Sequence, residues 1–190
     1  MTKRSAGTGA WSALVGDFRA NAPGLSEKPA PREVAAAIAR NAPTVRFLSV
    51  ALFRLAQGAG RRVDVLGSLV KQCNHVLTGC DVAYQAEIGP GLVLYHPTGV
   101  VVGPGCRVGA RAKIMQGATL GSDAVTAGDE NAASPVLGDD VFIGPGAALF
   151  GDVEVGDRVQ VGANSVVTSS FPSDVVIAGA PARVIRQRES

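Results

Sequence analysis

The chain has 190 residues, 46% of them apolar and 18% charged, with a formal net charge of +2 at pH 7. That is enough apolar material to bury a core in one or two domains, and the scattered basic residues argue against a nucleic-acid footprint. The N-terminal "MTKRSAGTGAWSALVGDF" lacks the apolar core of a signal peptide and "VRFLSVALFRLA" is interrupted by arginines, so neither export nor a membrane span is signalled and a cytoplasmic location is expected. Cys73, Cys80 and Cys106 are odd in number and form no C-x-x-C pair, as expected of reduced thiols. Twenty-four glycines and eleven prolines stand beside only 5% aromatics. An ordinary two-layer core uses more Phe, Tyr and Trp, so an internal repeat is the first suspect.

In chain order, residues 1–31 hold Gly-, Ala-, Pro- and Ser-rich pieces around "WSALVGDFRA", a candidate short helix. Three helices follow between residues 32 and about 78. The segments "REVAAAIAR", "TVRFLSVALFRLAQ" and "RVDVLGSLVKQCNHVL" place apolar residues at i, i+3, i+4 and i+7, and the breaks fall at "NAP" and "GAGRR".

From Val82 the period changes. Aliphatic residues recur every six positions at Val82, Ile88, Leu94 and Val100, then after a two-residue slip at Val102, Val108, Ile114 and Leu120, then from Leu137 through Ile143, Leu149, Val155 and Val161 to Val167. Glycine follows many of them, as at Gly89, Gly109 and Gly138. A small or β-branched residue such as Cys106, Ala112, Ala147 or Val159 stands four places after the aliphatic. A six-residue period over this length describes a solenoid with three flat faces, one hexad to a face. About 14 hexads would stack into four to five coils. The aliphatics fill the interior, the small residues fit where the chain turns, and glycine supplies backbone freedom at the corner. The period breaks twice. The coil "LYHPTGVV" carries two extra residues and includes His96, one of only two histidines, and a polar insertion between Leu120 and Leu137 must extrude as a loop.

These stretches, "LTGCDV", "IGPGLVLYHPTGVVVGPG", "MQGATLGS", "GDVEVGDRVQVGANSVV" and "VVIAGAPARVI", resemble the serine acetyltransferase branch of the hexapeptide-repeat acyltransferases. The resemblance covers a little over half of the chain. It implies a mainly β fold: a left-handed parallel β-helix over residues 80–190 with an extruded loop 121–136 and a C-terminal tail, preceded by a small helical region over 1–79. It also implies acetyl-CoA as donor, a homotrimer with sites between adjacent solenoids or a dimer of such trimers, no metal, and a place in cysteine biosynthesis. The family's catalytic base matches His96 and its carboxylate partner, fifteen residues earlier, matches Asp81. The chemistry asks for such a pair, because an alcohol attacks a thioester only when a neutral imidazole takes its proton and a carboxylate fixes the ring's tautomer. A backbone N–H from the neighbouring solenoid is expected to meet the oxyanion. The family's CoA groove matches Gly121, Ser122, Pro145, Gly146 and Ala163, with Arg183 and Arg186 as candidate phosphate partners.

Three departures bear on the acceptor. The family's aspartate before the histidine is Tyr95 here, a glutamate after "VVIG" is Pro104, and an arginine and a histidine of the long loop are Ala133 and Ser134. Those charges hold the ammonium and carboxylate of an amino acid. Their loss is what a different acceptor, a sugar or specialised-metabolite alcohol or amine, would leave; that is the alternative, with L-serine kept as the leading acceptor. Tyr95, offering a hydrogen bond and an apolar face, and Ser134 are the candidate acceptor contacts, while Asp17, Asp129 and Glu130 could supply the missing charge. The family's complex with the sulfhydrylase requires a C-terminal isoleucine; this chain ends "RQRES", so that complex is not expected. Two rivals belong to other classes. A zinc enzyme needs three histidines, and His75 reads as a helix C-terminal residue. A non-catalytic solenoid scaffold would leave the Asp81/His96 pair without a task.

Overall fold

The computed structural model describes residues 10–22, 30–41, 44–123 and 132–188. Four helices come first: α1 (Ala10–Asn21), α2 (Pro31–Asn41), α3 (Val45–Gly60) and α4 (Asp64–Thr78). The weak expectation around "WSALVGDFRA" is thus a full helix. Thr44 caps α3, its hydroxyl accepting from the Phe47 N–H at 3.3 Å. Instead of stopping before "GAG", α3 runs on to Gly60, because glycine is what lets α4 approach there. A Cβ on Gly67 would lie 2.6 Å from the Gly60 Cα, and one on Gly60 would lie 2.4 Å from the Tyr84 ring. The Tyr84 hydroxyl donates to the Asp64 carboxylate and ties the start of α4 to the strands that follow. Gly79, at φ +71°, closes α4 by donating to the His75 carbonyl at 2.8 Å.

The rest is a left-handed parallel β-helix. The first coil holds β1 (Asp81–Val82), β2 (Glu87–Ile88) and β3 (Val93–Leu94), and the second β4 (Val101–Val102), β5 (Arg107–Val108) and β6 (Lys113–Ile114). The third holds β7 (Thr119–Gly121), β8 (Val136–Leu137) and β9 (Phe142–Ile143), and the fourth β10 (Ala148–Phe150), β11 (Glu154–Val155) and β12 (Gln160–Val161). A fifth is formed by β13 (Val166–Val167), a bridge from Phe171 to Val155, and β14 (Val175–Gly179). The expected C-terminal tail is a strand, β15 (Ala182–Gln187), folded back antiparallel on β14. Sheet A stacks β1-β4-β7-β10-β13, sheet B stacks β2-β5-β8-β11, and sheet C stacks β3-β6-β9-β12-β14-β15.

Register locates both irregularities. An unbroken coil advances eighteen residues, as from Val101 to Thr119, whereas Asp81 pairs with Val101, twenty residues on, and Arg107 with Val136, twenty-nine on. Stacked aliphatics fill the prism: Leu94, Ile114, Ile143, Val161 and Ile177 form the sheet C column and are all buried. Each such side chain contributes about 1.5–3 kcal/mol by leaving water.

Two sequence expectations are corrected here. Val100 is not a strand aliphatic. It is buried but precedes β4, where Cys106 precedes β5, so the two extra residues lie between Leu94 and Val100. The glycines after the aliphatics are there for space rather than backbone freedom. A Cβ on Gly89 would lie 2.7 Å from the Ala110 N, and one on Gly156 2.5 Å from the Ser173 N, so stacked turns could not close over it. The left-handed backbone falls elsewhere in each turn, on Arg111, Asp140, Arg158 and Asp174 at the corner between sheets B and C. There Arg111 grips Asp140 through two bonds of 2.8 and 2.6 Å, and Arg158 grips Asp174 through two of 2.6 Å. The facing arginines hold Asp140 and Asp174 below the usual carboxylate range.

A buried polar clamp fastens the helices to the first coil. Asp17 of α1 meets Arg54 of α3 at 2.7 Å, and its Oδ1 accepts the backbone N–H groups of Gly91 and Leu92, both at 2.8 Å. Arg54 donates to the carbonyls of Ile88 (2.8 Å) and Gly89 (2.7 Å), Gln57 to that of Ala86 (2.9 Å), and Asn21 to that of Leu92 (2.9 Å). The open end of a β-helix is a row of unpaired backbone groups. Here side chains from α1 and α3 satisfy them while Val50 and Phe53 plug the apolar interior.

Candidate active site

His96 lies on the Tyr95–Gly99 excursion between β3 and β4, and its side chain is exposed. Backbone bonds on both sides set that excursion against the junction of α4 and β1. The Gly99 N–H donates to the Gly79 carbonyl and the Asp81 N–H to the Val100 carbonyl, each at 2.8 Å. Asp81 is therefore laid beside the excursion, with its side chain outward while Val82 points in. Its carboxylate is held by Lys71 of α4 at 2.5 Å, and the His96 ring bonds to no other described residue.

The corner between sheets C and A is continuous along the prism. Gly117 donates to the Thr98 carbonyl at 3.1 Å, Gly146 to that of Gln116 at 2.9 Å, and Asn164 to that of Pro145 at 2.8 Å. His96, Pro145, Gly146 and Ala163 thus line one edge, a coil apart or more. Arg183 tops it, since it pairs with Ala178 at the end of β14, and Ala178 stacks over Gly162. Gly146 is exposed and φ-positive, and the Asn164 side chain of the next coil lies over the place where its Cβ would be.

Gly121, Ser122 and Ser134 are not on that edge. They sit at the other margin of sheet A, where the Asp123 N–H donates to the Ala133 carbonyl at 3.2 Å and brings the two ends of the insertion together. Ser134 packs over Gly105, whose Cβ would come within 2.6 Å of its hydroxyl. From Gly117 to Gly121 is four residues of extended chain, roughly 13 Å. Arg186 also stands apart: with Gln160, Gln187 and Arg188 it lines an open depression of about 530 Å³ at the far end of sheet C.

Tyr95, next to the histidine, is 37% exposed, and the Arg46 guanidinium of α3 stacks over its ring at 5.5 Å. Sequence reasoning missed this cation, because nothing in the spacing of residues 46 and 95 pairs them. Asp17 is a correction. Offered as a surface charge for an acceptor, it is fully buried in the clamp with Arg54. Asp129 and Glu130 lie outside the described residues. His75 is exposed in the last turn of α4. Among the described residues no helix is long and apolar enough to cross a membrane.

The cysteines differ sharply. Burial, with the Asp81 charge nearby, pushes the Cys80 thiol up to about 12, and burial pushes Cys106 to about 11, whereas Cys73 is exposed. Since the thiolate is the reactive form, titration of the native protein with DTNB is expected to release about one equivalent promptly, and all three only after denaturation. Three prompt equivalents would contradict the buried placement.

Residues 134–169 match the family model "Bacterial transferase hexapeptide (six repeats)" and residues 99–128 that of the "Hexapeptide repeat of succinyl-transferase". A serine acetyltransferase of Staphylococcus xylosus is 37% identical over 65% of this chain and 56% of its own length. The soybean serine acetyltransferase, solved with serine, superposes with a TM-score of 0.78 at 30% identity, covering 95% of this chain and 71% of that one. A serine acetyltransferase solved with CoA superposes with a TM-score of 0.76 at 26% identity, over 93% of this chain and 69% of that one. The chain spans about half the length of the curated relatives it matches, 56% and 50% of the first two.

Proposed function

Since the chain belongs to the serine acetyltransferase branch of the hexapeptide-repeat acyltransferases, we propose that it moves the acetyl group of acetyl-CoA to the hydroxyl of L-serine. In this reading residues 80–190 are the catalytic domain and 1–79 its helical cap. His96 is the general base and Asp81 the carboxylate behind it.

The observation that carries the reading is the single edge on which an exposed His96 stands in line with Pro145, Gly146, Ala163 and Arg183. A pantetheine laid along those turns would present its thioester at the first coil and its phosphates towards Arg183. The neutral imidazole of His96 takes the serine hydroxyl proton as the oxygen attacks the thioester carbonyl. The tetrahedral oxyanion then collapses, the C–S bond breaks, and the thiolate leaves with the proton that the imidazolium returns. Asp81, turned from Lys71 towards the ring, fixes its tautomer and stabilises the imidazolium. The Lys71 pair is about one-third exposed on both sides, so solvent screens it and the exchange costs little.

The remaining candidates support a homotrimer. Gly121, Ser122 and Ser134 cannot join the His96 edge within one chain, being at the other margin of sheet A. Three prisms about a threefold axis set each His96 edge against a neighbour's margin, where a backbone N–H can meet the oxyanion.

The test is thiol release from acetyl-CoA, read with DTNB above the Cys73 background, against L-serine, homoserine, simple sugars and nucleotide sugars. Release with L-serine is expected. Release only with a sugar would move the acceptor, and release with none would overturn the reading.

A further inference from the structure

We propose that Arg46 binds the carboxylate of the acceptor, so that the helical cap supplies the anchor which the loop lacks; this rests on the acyl-transfer reading above. The segment 121–136 contains no Lys, Arg or His, and its return carries Ala133 and Ser134. An amino-acid carboxylate drawn into a crevice needs a cationic partner, since leaving it unpaired costs several kcal/mol. Near His96 two cations stand out. Lys71 is committed to Asp81 at 2.5 Å in this structure, and once Asp81 turns to the ring it offers a point charge rather than a planar fork.

Arg46 is not so committed. It is half-buried, its Nη2 donates to the Asn21 carbonyl at 3.0 Å, and its guanidinium carbon stands over the Tyr95 ring, 5.5 Å from the centroid. No carboxylate pairs with it among the described residues, whereas Arg54, Lys71, Arg107, Arg111 and Arg158 each have one. One bond and one stacking contact fix the guanidinium while leaving other N–H groups to donate. That is the preorganised fork that suits a carboxylate. Tyr95 is joined to His96 through the chain and pinned by its N–H to the Ile114 carbonyl at 3.1 Å, so the cation is held over the residue next to the base. Tyr95 in place of an acid then has a physical reason. An aspartate there would neutralise Arg46, while an aromatic face orients it and leaves its charge for the ligand.

The experiment compares R46Q and R46K with the wild type on L-serine and on L-serinamide, which keeps the hydroxyl and ammonium but has no carboxylate. For R46Q the KM for L-serine is expected to rise about 10- to 100-fold, the range of a charge-assisted hydrogen bond, with kcat and the KM for acetyl-CoA within a few-fold. R46K should recover part of the loss. With L-serinamide the wild type and R46Q should be alike. Equal losses on both acceptors would mark a structural role and overturn the assignment, as would an unchanged KM for L-serine. Wild-type turnover of a neutral alcohol in place of L-serine would overturn the acceptor and Arg46 together, whereas wild-type turnover of L-serine with R46Q unaffected would overturn Arg46 alone.

Discussion

Replacing His96 by alanine is expected to lower kcat for acetyl transfer by about 10²–10⁴, the usual worth of a general base, with little change in the KM for acetyl-CoA. The melting temperature should not move, because the side chain is exposed and bonds to no other described residue. The protein therefore offers a clean separation of chemistry from folding. Asp81→Asn should fall between His96→Ala and the wild type, since the ring keeps a partner but loses the negative charge that stabilises its protonated form. Steady-state kinetics beside a thermal melt reads both. A His96→Ala protein turning over at the wild-type rate would leave the solenoid as a scaffold.

Asp17→Asn is expected to have the largest effect on stability. Asp17 and Arg54 are 0% and 2% exposed in their side chains, so the substitution leaves a guanidinium buried without its counter-charge, a loss of about 3–5 kcal/mol. For a chain of this size that lowers the melting temperature by about 6–20 °C. Replacing both partners, as Asp17→Leu with Arg54→Met, should cost clearly less than the two single losses added, and the coupling is read from a double-mutant cycle. The outer ladder behaves differently. Arg111 and Asp140 are 56% and 40% exposed, and Arg111→Ala should cost less than about 1 kcal/mol. Equal effects at the two sites would mean that the clamp is not the fastening it looks like.

The contrast between these two ion pairs shows what the sequence could and could not tell. The repeat made the prism legible, because period six assigns one aliphatic to each face. Both interruptions were visible for the same reason, and one of them held His96. Errors arose where contacts cross the repeat. Val100 fits the aliphatic series in chemistry, and only stacking between Cys80 and Ala118 reveals that it belongs before the strand. Nothing in the spacing of Asp17 and Arg54, thirty-seven residues apart, pairs them, and their task exists only once the first coil offers its bare carbonyls and amides. Arg46 escaped notice similarly, since a stacking contact between a helix and a distant turn leaves no spacing signature. For the C–A edge, the matching residues were legible by resemblance, but that Gly121 and Ser134 fall on the opposite margin is a fact of three dimensions.

The continuous C–A corner is also a ruler. Each coil advances it by one interstrand spacing, about 4.8 Å, so the four spacings from β3 to β14 in sheet C set His96 and the turn below Arg183 roughly 19 Å apart. That length is fixed in whole coils and cannot be tuned continuously. Excising one eighteen-residue coil would shorten the gauge by a full graduation while leaving every remaining layer as well packed as before, and the resulting protein should fold yet no longer measure its ligand correctly.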